Sequence, residues 1–456
     1  VVQKKEWWSW KELEDMGIRG LGLIKNGDYV LHSFQRGSEV STTVYQAAFG
    51  SRSWISNQET HKQYRLLISV KTVSRRDFML DLPHYQKINH LKFWCCTFGD
   101  YRVEDIALAL PNLIKFEIHY CYSGIVKKDK RQERRRNAAA LQADRSLGPH
   151  QNLKTINICH CFYIGRYRPK IFPLFGTDDI STYPYLDFNF KGFSTRFPSL
   201  THLNLSHNNF DGEKISTIQS ELKSLALLNS LDMTNSDLTI KETASVLGFS
   251  TPQSVIITSL EHLSIDMQKQ KITSSSSSLQ EEEEERIATY FSSGLKQMTK
   301  LKSLAIPLVA LPYGCFINSL SSLASLRFLE KLDVSSRSEW HRKSFSAQDD
   351  AHETIMKAFG RCTKLTDLVL NASNLHGWMY NVTQQYNDTL FQNLRRIYLD
   401  NCFYKLPGTI NRDNYGISNI ITKLSHYNKL EKISMSSNDM NIKNLEQIFE
   451  MFYYCS

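Results

Sequence analysis

Three short clusters carry thiol and imidazole groups close together: Cys95-Cys96, His119-x-Cys121 and Cys159-His160-Cys161. Thiolate sulfur and imidazole nitrogen are the donors of tetrahedral zinc sites, so a metal centre is the first chemistry these types and spacings raise. The clusters do not repeat as CxxC pairs. The nine cysteines, at 95, 96, 121, 159, 161, 315, 362, 402 and 455, are odd in number and match no paired disulfide framework. Other chemistries leave less trace. There is no Gly-rich phosphate loop, no G-x-S-x-G elbow and no H-E-x-x-H, and His352-Glu353 lacks its second histidine. The expectation is a chain with no catalytic site, no metal and no cofactor.

What must position these clusters is a recurring frame: apolar, two variable, apolar, one variable, apolar, two variable, then Cys or a small polar residue. It reads most clearly over Leu200–Phe210, with Leu203, Leu205 and Asn208 at its marked positions. It starts again at Ile88, Leu113, Leu153, Leu228, Leu260, Leu301, Leu329, Leu365, Leu394 and Leu430, with a weaker copy at Ile18. Cys96, Cys121, Cys161, Asn208, Cys402 and Asn438 fall in the polar slot, as does Asn26 in the weak copy; Ser236 and Ser373 replace it twice. Gln268, Val309 and Arg337 break it. Three of the cysteines that suggested a metal are therefore expected to point inward as backbone-bonding ladder residues. Only Cys95, His119, Cys159 and His160 remain, too few and too scattered for a tetrahedral set.

The frame alternates sides as a short strand does, burying its apolar residues and turning the variable ones outward. Between frames the apolar spacing becomes helical, at Ile215, Ile218, Leu222 and Leu225, at Ile287, Phe291, Leu295 and Met298, and at Ile417, Ile420 and Leu424. Strand, turn and helix in repetition imply parallel strands joined by crossovers. This pattern resembles the leucine-rich repeat, over roughly residues 18 to 440. The resemblance implies an α/β solenoid, a horseshoe with short parallel strands on its concave face and helices on its convex face. Several units run longer than the usual 20–29 residues and must carry insertions, and the helical convex segments resemble the longer, ribonuclease-inhibitor-like intracellular class. Intracellular relatives with long irregular repeats include F-box and Zyg-type substrate receptors of cullin-RING ubiquitin ligases.

The expected organisation is an N-terminal cap with degraded repeats over 1–87, a solenoid over 88–440, and an incomplete repeat or cap over 441–456. Within the solenoid, 122–150, 164–196 and 268–286 read as insertions. The first holds Lys127, Lys128, Lys130, Arg131, Arg134, Arg135 and Arg136, a nuclear-import or nucleic-acid patch if it is more than a solvated loop. The second is rich in Tyr, Phe and Pro, and so much aromatic area is expected to pack down rather than face water. The third combines a serine run with Glu281–Glu285, whose charges suit the first turn of a helix.

The variable positions of the strands are the expected partner-binding face: Lys92, Glu117, His202, Asn204, Asp232, His262, Asp333, Asp367, Arg396 and Tyr398, with Trp94, Tyr120 and His160 just beyond strand ends. Their mixed charge suits a protein partner better than nucleic acid. The net charge of +9 is concentrated in Lys127–Arg136, which leaves the rest of the chain close to neutral. No apolar run reaches the ~18 residues of a membrane span, and the chain opens at Val1 with no charged-then-apolar leader. Four sequons, at Asn204, Asn371, Asn381 and Asn387, matter only in a secreted chain. The reading is a cytoplasmic or nuclear protein-interaction scaffold, reaching a cullin adaptor through regions outside this chain if it serves a ligase. An RNA-associated or nuclear-export-type repeat protein using the basic insert is the alternative. An extracellular receptor ectodomain is the third.

Overall fold

The computed structural model describes residues 21–24, 28–32, 65–69, 89–94, 97–98, 103–119, 121–123, 148–161, 188, 190–210, 212–236, 238–249, 257–266, 278–306, 319, 321–335, 361–371, 393–400, 429–436 and 446. The chain forms two compact units, residues 1–228 and 229–456.

The first unit opens with β1 (Leu21–Ile24) antiparallel to β2 (Asp28–His32). The copy of the frame at Ile18 is therefore not a repeat. Three residues containing Asn26-Gly27 join the two strands, and so short a link closes only an antiparallel hairpin, whereas parallel strands need a crossover of a dozen residues or more. From β2 onward the pairing is parallel. The strands are β3 (Arg65–Ser69), β4 (His90–Trp94), β5 (Thr97–Phe98), β6 (Lys115–His119), β7 (Tyr122–Ser123), β8 (Thr155–Cys159) and β9 (His202–Asn204). The order β2-β3-β4-β6-β8-β9 follows the sequence, and β5 and β7 pair separately beside it.

The second unit repeats the plan with β10 (Ser230–Met233), β11 (His262–Ile265), β12 (Ser303–Ala305), β13 (Lys331–Asp333), β14 (Asp367–Val369), β15 (Arg396–Tyr398) and β16 (Lys432–Ser434), each parallel to the next. From β2 onward in the first unit and throughout the second, parallel strands in sequence order joined by crossovers make each unit a leucine-rich-repeat stack of α/β type.

The register explains the core. Leu91, Phe116, Ile156 and Leu203 face one another across β4, β6, β8 and β9, and all are buried. Leu231, Leu263, Leu304, Leu332, Leu368 and Ile397 form the matching buried row in the second unit. Helices cover the inner side: α1 (Val103–Leu108), α2 (Phe193–Arg196), α3 (Gly212–Ser224), α4 (Ile240–Leu247) and α5 (Ser278–Gln297). In α3 Ile215, Ile218 and Leu222 are buried, and α5 buries Ile287, Phe291 and Leu295, as their spacing predicts. Helix α5 begins inside the serine run and takes up Glu281–Glu285, again as expected. Gly294 sits in the interior of α5 because a Cβ there would lie 2.1 Å from the ring of buried Phe249. Phe249 in turn meets Phe291 edge-on at 5.3 Å.

The end of the aromatic insertion is core. Phe188, Phe190 and Phe193 are buried, with ring centroids 5.1–6.0 Å apart, and Phe210 closes over Phe190. Glu221 of α3 holds this corner by accepting from the backbone N–H groups of Gly192 and Ser194 and from the Ser194 hydroxyl. Burial alone would raise its pKa, but those bonds and nearby Arg196 lower it below the usual carboxylate range. Arg196 also reaches fully buried Glu104 at 3.2 Å. Residues 162–187, the basic run 127–136 and the repeat helix expected near Ile417 lie outside the described residues.

One repeat provides a check on the frame, because Leu203 is buried and its neighbour His202 is exposed. Leu203→Ala is expected to cost roughly 2–5 kcal/mol through lost burial and a residual cavity. His202→Ala should stay within about 0.5 kcal/mol, as exposed positions usually do. Urea unfolding of the two variants measures both values.

Candidate functional site

Two outward positions per strand, the third and fifth of the frame, form rows running across the sheet. In the first unit, register aligns His90, Lys115, Thr155 and His202 in one row and Lys92, Glu117, Asn157 and Asn204 in the other. In the second unit the rows run His262, Ser303, Lys331, Asp367, Arg396, Lys432 and Ser264, Ala305, Asp333, Val369, Tyr398, Ser434.

The first unit's rows converge on Glu117. Its carboxylate accepts from Asn157 Nδ2 at 3.0 Å, pairs with Lys115, and has Lys92 Nζ at 3.4 Å and the Nε2 atoms of His90 and His119 at 3.6 Å. Glu117 is outward in register yet only 7% exposed, because these side chains close over it. The expectation of an open face is corrected here: opposite charges on neighbouring strands collapse onto one another. Burial pushes the Glu117 carboxyl up, but the His119, His90 and Lys115 side chains closed around it outweigh that and hold the group far below the ordinary carboxylate range.

At the strand ends, His160 stacks on His207 with centroids 4.1 Å apart and planes 21° from parallel. Both residues have positive φ, 57° and 58°, as does Asn235 at 52°. All three occupy the eighth position of the frame, so the turn that follows each strand needs a left-handed residue, which His and Asn tolerate better than most. The stacked pair is thus a product of the turn, and His160 does not project freely as a binding side chain.

The same turns decide the cysteines. Asn208 Nδ2 donates to the carbonyls of Ile158 and Leu205, and its Oδ1 accepts from the Cys161 backbone N–H. Buried Cys161 donates to the Ile118 and Cys159 carbonyls, and buried Cys121 to the His119 carbonyl. These are ladder residues. Cys159 lies against Asn204 and Ser206 instead, at 3.5 and 3.6 Å. Among the described residues, no group of His, Cys, Asp and Glu could hold a metal ion. Cys95 and Cys96 lie outside them.

The second unit pairs its charges more openly. Arg396 sits 2.7 Å from Asp367, Lys302 2.8 Å from Glu261, and Arg395 3.1 Å from Glu431, while Lys432 Nζ lies 5.0 Å over the Tyr398 ring. Asp367 is 8% exposed under Arg396, a second correction to the expected open face. Asn204, Asp232 and Asp333 are partly turned to structural use, since each side-chain oxygen accepts the backbone N–H two residues on, at Ser206, Thr234 and Ser335. His262 and Tyr398 stand on the face as expected, and Arg396 is 49% exposed. Trp94 ends β4, but its side chain, Tyr120 and the basic patch Lys127, Lys128, Lys130, Arg131, Arg134, Arg135 and Arg136 lie outside the described residues.

Sequence reasoning missed a further ladder at the seventh position. Asn371 N–H donates to Ser335 Oγ, Asp400 N–H to Asn371 Oδ1, and Ser436 N–H to Asp400 Oδ1. The signal was the run of small polar residues at that position. His150 was missed too. It replaces the apolar residue that precedes each frame by three, and its Nδ1 accepts the Leu153 N–H while its Nε2 bonds the Leu110 carbonyl.

No family model and no curated protein matches this sequence. The chain is similar to a solved internalin (inlF) from Listeria monocytogenes at 14% identity and a TM-score of 0.41, over 90% of this chain and 92% of that one.

The stacked histidines set a pH dependence. Burial, then the positive potentials of His207 and His119, lower the His160 pKa from 6.5 to about 4. Between those values the unfolded chain binds a proton that the folded one refuses, so stability contributed above pH 6.5 is lost as pH falls toward 4. His160→Asn keeps a residue that tolerates positive φ and removes the titration. The fall in unfolding free energy from pH 7 to pH 4 should shrink by on the order of 1–2 kcal/mol, discounted for partial exposure. Urea titrations at several pH values read this out.

Proposed function

We propose that the chain is a protein-interaction scaffold that binds its partner on the strand face and does no chemistry of its own. The observation that supports this best is the division of labour within the frame. Core leucines, ladder thiols and amides, and the seventh-position polar residues satisfy the stack internally. The third and fifth positions then vary in size and charge at fixed spacing, apart from the fifth-position Asn204, Asp232 and Asp333 that also cap the turn. Arg396, Tyr398 and Lys432 form the most interface-like group on that face, because Arg and Tyr dominate interface energetics where they are held rigidly. Asp367 orients the Arg396 guanidinium with two contacts, at 2.7 and 3.1 Å.

A cytoplasmic or nuclear setting fits the thiols. Cys121, Cys159, Cys161 and Cys362 are free and buried. Burial pushes Cys362 up to about 12, a structural and unreactive thiol. The finer form of the reading places the chain in the ribonuclease-inhibitor-like class, as a substrate receptor of a cullin-RING ligase. Its support is the repeat length and the helical crossovers, together with the family resemblance those carry. Among the described residues no helix is long and apolar enough to cross a membrane.

Affinity capture from cytosolic extract, compared between the wild-type chain and Arg396→Ala/Tyr398→Ala, tests the binding face. The double variant should lose its partner at least tenfold while its unfolding free energy changes by no more than about 1 kcal/mol. A partner retained equally by both would move binding off this face, and cullin adaptors in the wild-type eluate would favour the ligase form. Titration of the denatured, non-reduced protein with a thiol reagent tests the compartment. All nine cysteines should react, and two or more stable disulfides would instead point to an extracellular chain.

A further inference from the structure

The strand faces of the two units differ in charge. On β4, β6, β8 and β9 and the residue preceding each, the basic side chains are Lys92, Lys115 and Lys154, joined by His90, His119 and His202, and the only acid is Glu117. The structure removes that acid from the surface, since Glu117 is 7% exposed while Lys92 and Lys115 above it are 30% and 39% exposed. Lys154 and His202 are exposed on the neighbouring strands. In the second unit, acids and bases on the equivalent positions pair one to one, at the surface in Glu261–Lys302 and Glu431–Arg395 and with the acid buried in Asp367–Arg396. The mixed charge read from the sequence averages a basic face with a self-neutralised one.

We propose that the strand face of the first unit, built from Lys92, Lys115, Lys154 and His202 around buried Glu117, is a docking surface for a carboxylate-rich segment of a partner protein. This deepens the scaffold reading and rests on it. Glu117 acts as the fixed anchor. By holding Lys92 and Lys115 to one centre, it presents their charge as a preorganised patch rather than as separate flexible side chains. Neighbouring strands lie about 4.8 Å apart and alternate residues of an extended segment about 7 Å apart. An acidic segment crossing β4, β6, β8 and β9 therefore passes Lys92, Lys115, Lys154 and His202 within about 15 Å. Thr155 lies between the charges and supplies a hydroxyl suited to a peptide backbone, while Asn157 is engaged with Glu117 and Asn204 with Ser206. Nucleic acid is the poorer fit, because these strands carry no arginine, the residue whose planar fork suits phosphate. Three lysines also supply few of the phosphate contacts that sustain binding at physiological salt.

The test uses the full chain and three fluorescein-labelled probes: a twelve-residue peptide of alternating Asp and Gly, its Lys–Gly counterpart, and a polyuridine 12-mer. Fluorescence anisotropy at low salt should show the Asp–Gly peptide bound and the Lys–Gly peptide not. Lys154→Glu/His202→Glu, which leaves the Glu117 contacts in place, should weaken the acidic peptide at least fivefold. Reversals at exposed Lys241 and Lys296, on α4 and α5, should change it less than twofold. Thermal melts of each variant confirm folding. Absence of Asp–Gly binding, equal loss in the control reversals, or tighter binding of polyuridine that is lost in Lys154→Glu/His202→Glu would overturn the proposal. In those cases the scaffold reading stands or falls separately, on whether the partner captured from extract still depends on Arg396 and Tyr398.

Discussion

Each repeat hands its backbone to the next in parallel register, and where the slot holds Cys121, Cys161 or Asn208 the polar residue at the ninth frame position fixes the chain at the strand end. There the chain turns inward, leaving carbonyls in an apolar interior with no water to satisfy them, at a cost of about 1–3 kcal/mol each if unmet. Asn208 meets two of them and receives the N–H of Cys161 from the preceding repeat. Cys161 repeats the arrangement one step earlier with a thiol. At the other end of the strand, one carbonyl accepts two successive N–H groups from the next repeat, as Ile114 O does from Lys154 and Thr155, and Lys302 O from Glu330 and Lys331. With both ends fixed, the strand between them has no freedom of register. The leucine rows then align without further specification.

That constraint explains what was legible in the sequence. The alternation of Leu203 and Leu205 with His202 and Asn204 is a backbone property, read directly from residue types. The ladder at Cys121, Cys161 and Asn208 was readable because one slot must be small and polar. Helices α3 and α5 followed from apolar spacing alone. Helix α4 carried a start signal that went unused: Thr239-x-x-Glu242 is a capping box, with the Thr239 hydroxyl accepting the Glu242 N–H and the Glu242 carboxylate accepting in return. Gly248, at φ 79°, marks its end. Asn26-Gly27 announced the β1–β2 hairpin in the same way, and the leucine frame laid over Ile18 hid it.

What could not be read is the side-chain pairing between repeats. Glu117 and its partners come from β4, β6 and β8, and Asn157 lies forty residues away in sequence. Nothing at position 117 distinguishes a carboxylate that will be buried under lysines from one that will face a ligand. Variable repeat length makes this worse, since pairing depends on which strands become neighbours and not on how many residues separate them. His150 shows the same limit from inside the core. Its imidazole takes over a backbone bond of the turn and bridges to Leu110, a substitution that a hydropathy pattern registers only as a fault.

The consequence for function follows from rigidity. Outward side chains are mounted on strands whose ends are fixed by ladders. On the strand-face binding proposed above, the scaffold loses little conformational entropy, and selectivity rests on which side chains occupy the third and fifth positions. Charge is the strongest lever available there, because like charges set against a partner cost more than a lost apolar contact returns. The two units use that lever differently. One pairs acids with bases across adjacent strands and presents a nearly neutral surface around Tyr398. On β4, β6, β8 and β9 the other buries the one acid, Glu117, and leaves lysine and histidine outside. The leucine rows recur in both units while the ladders and the outward rows differ, so the core is what the two units share and the outward charge is what distinguishes them.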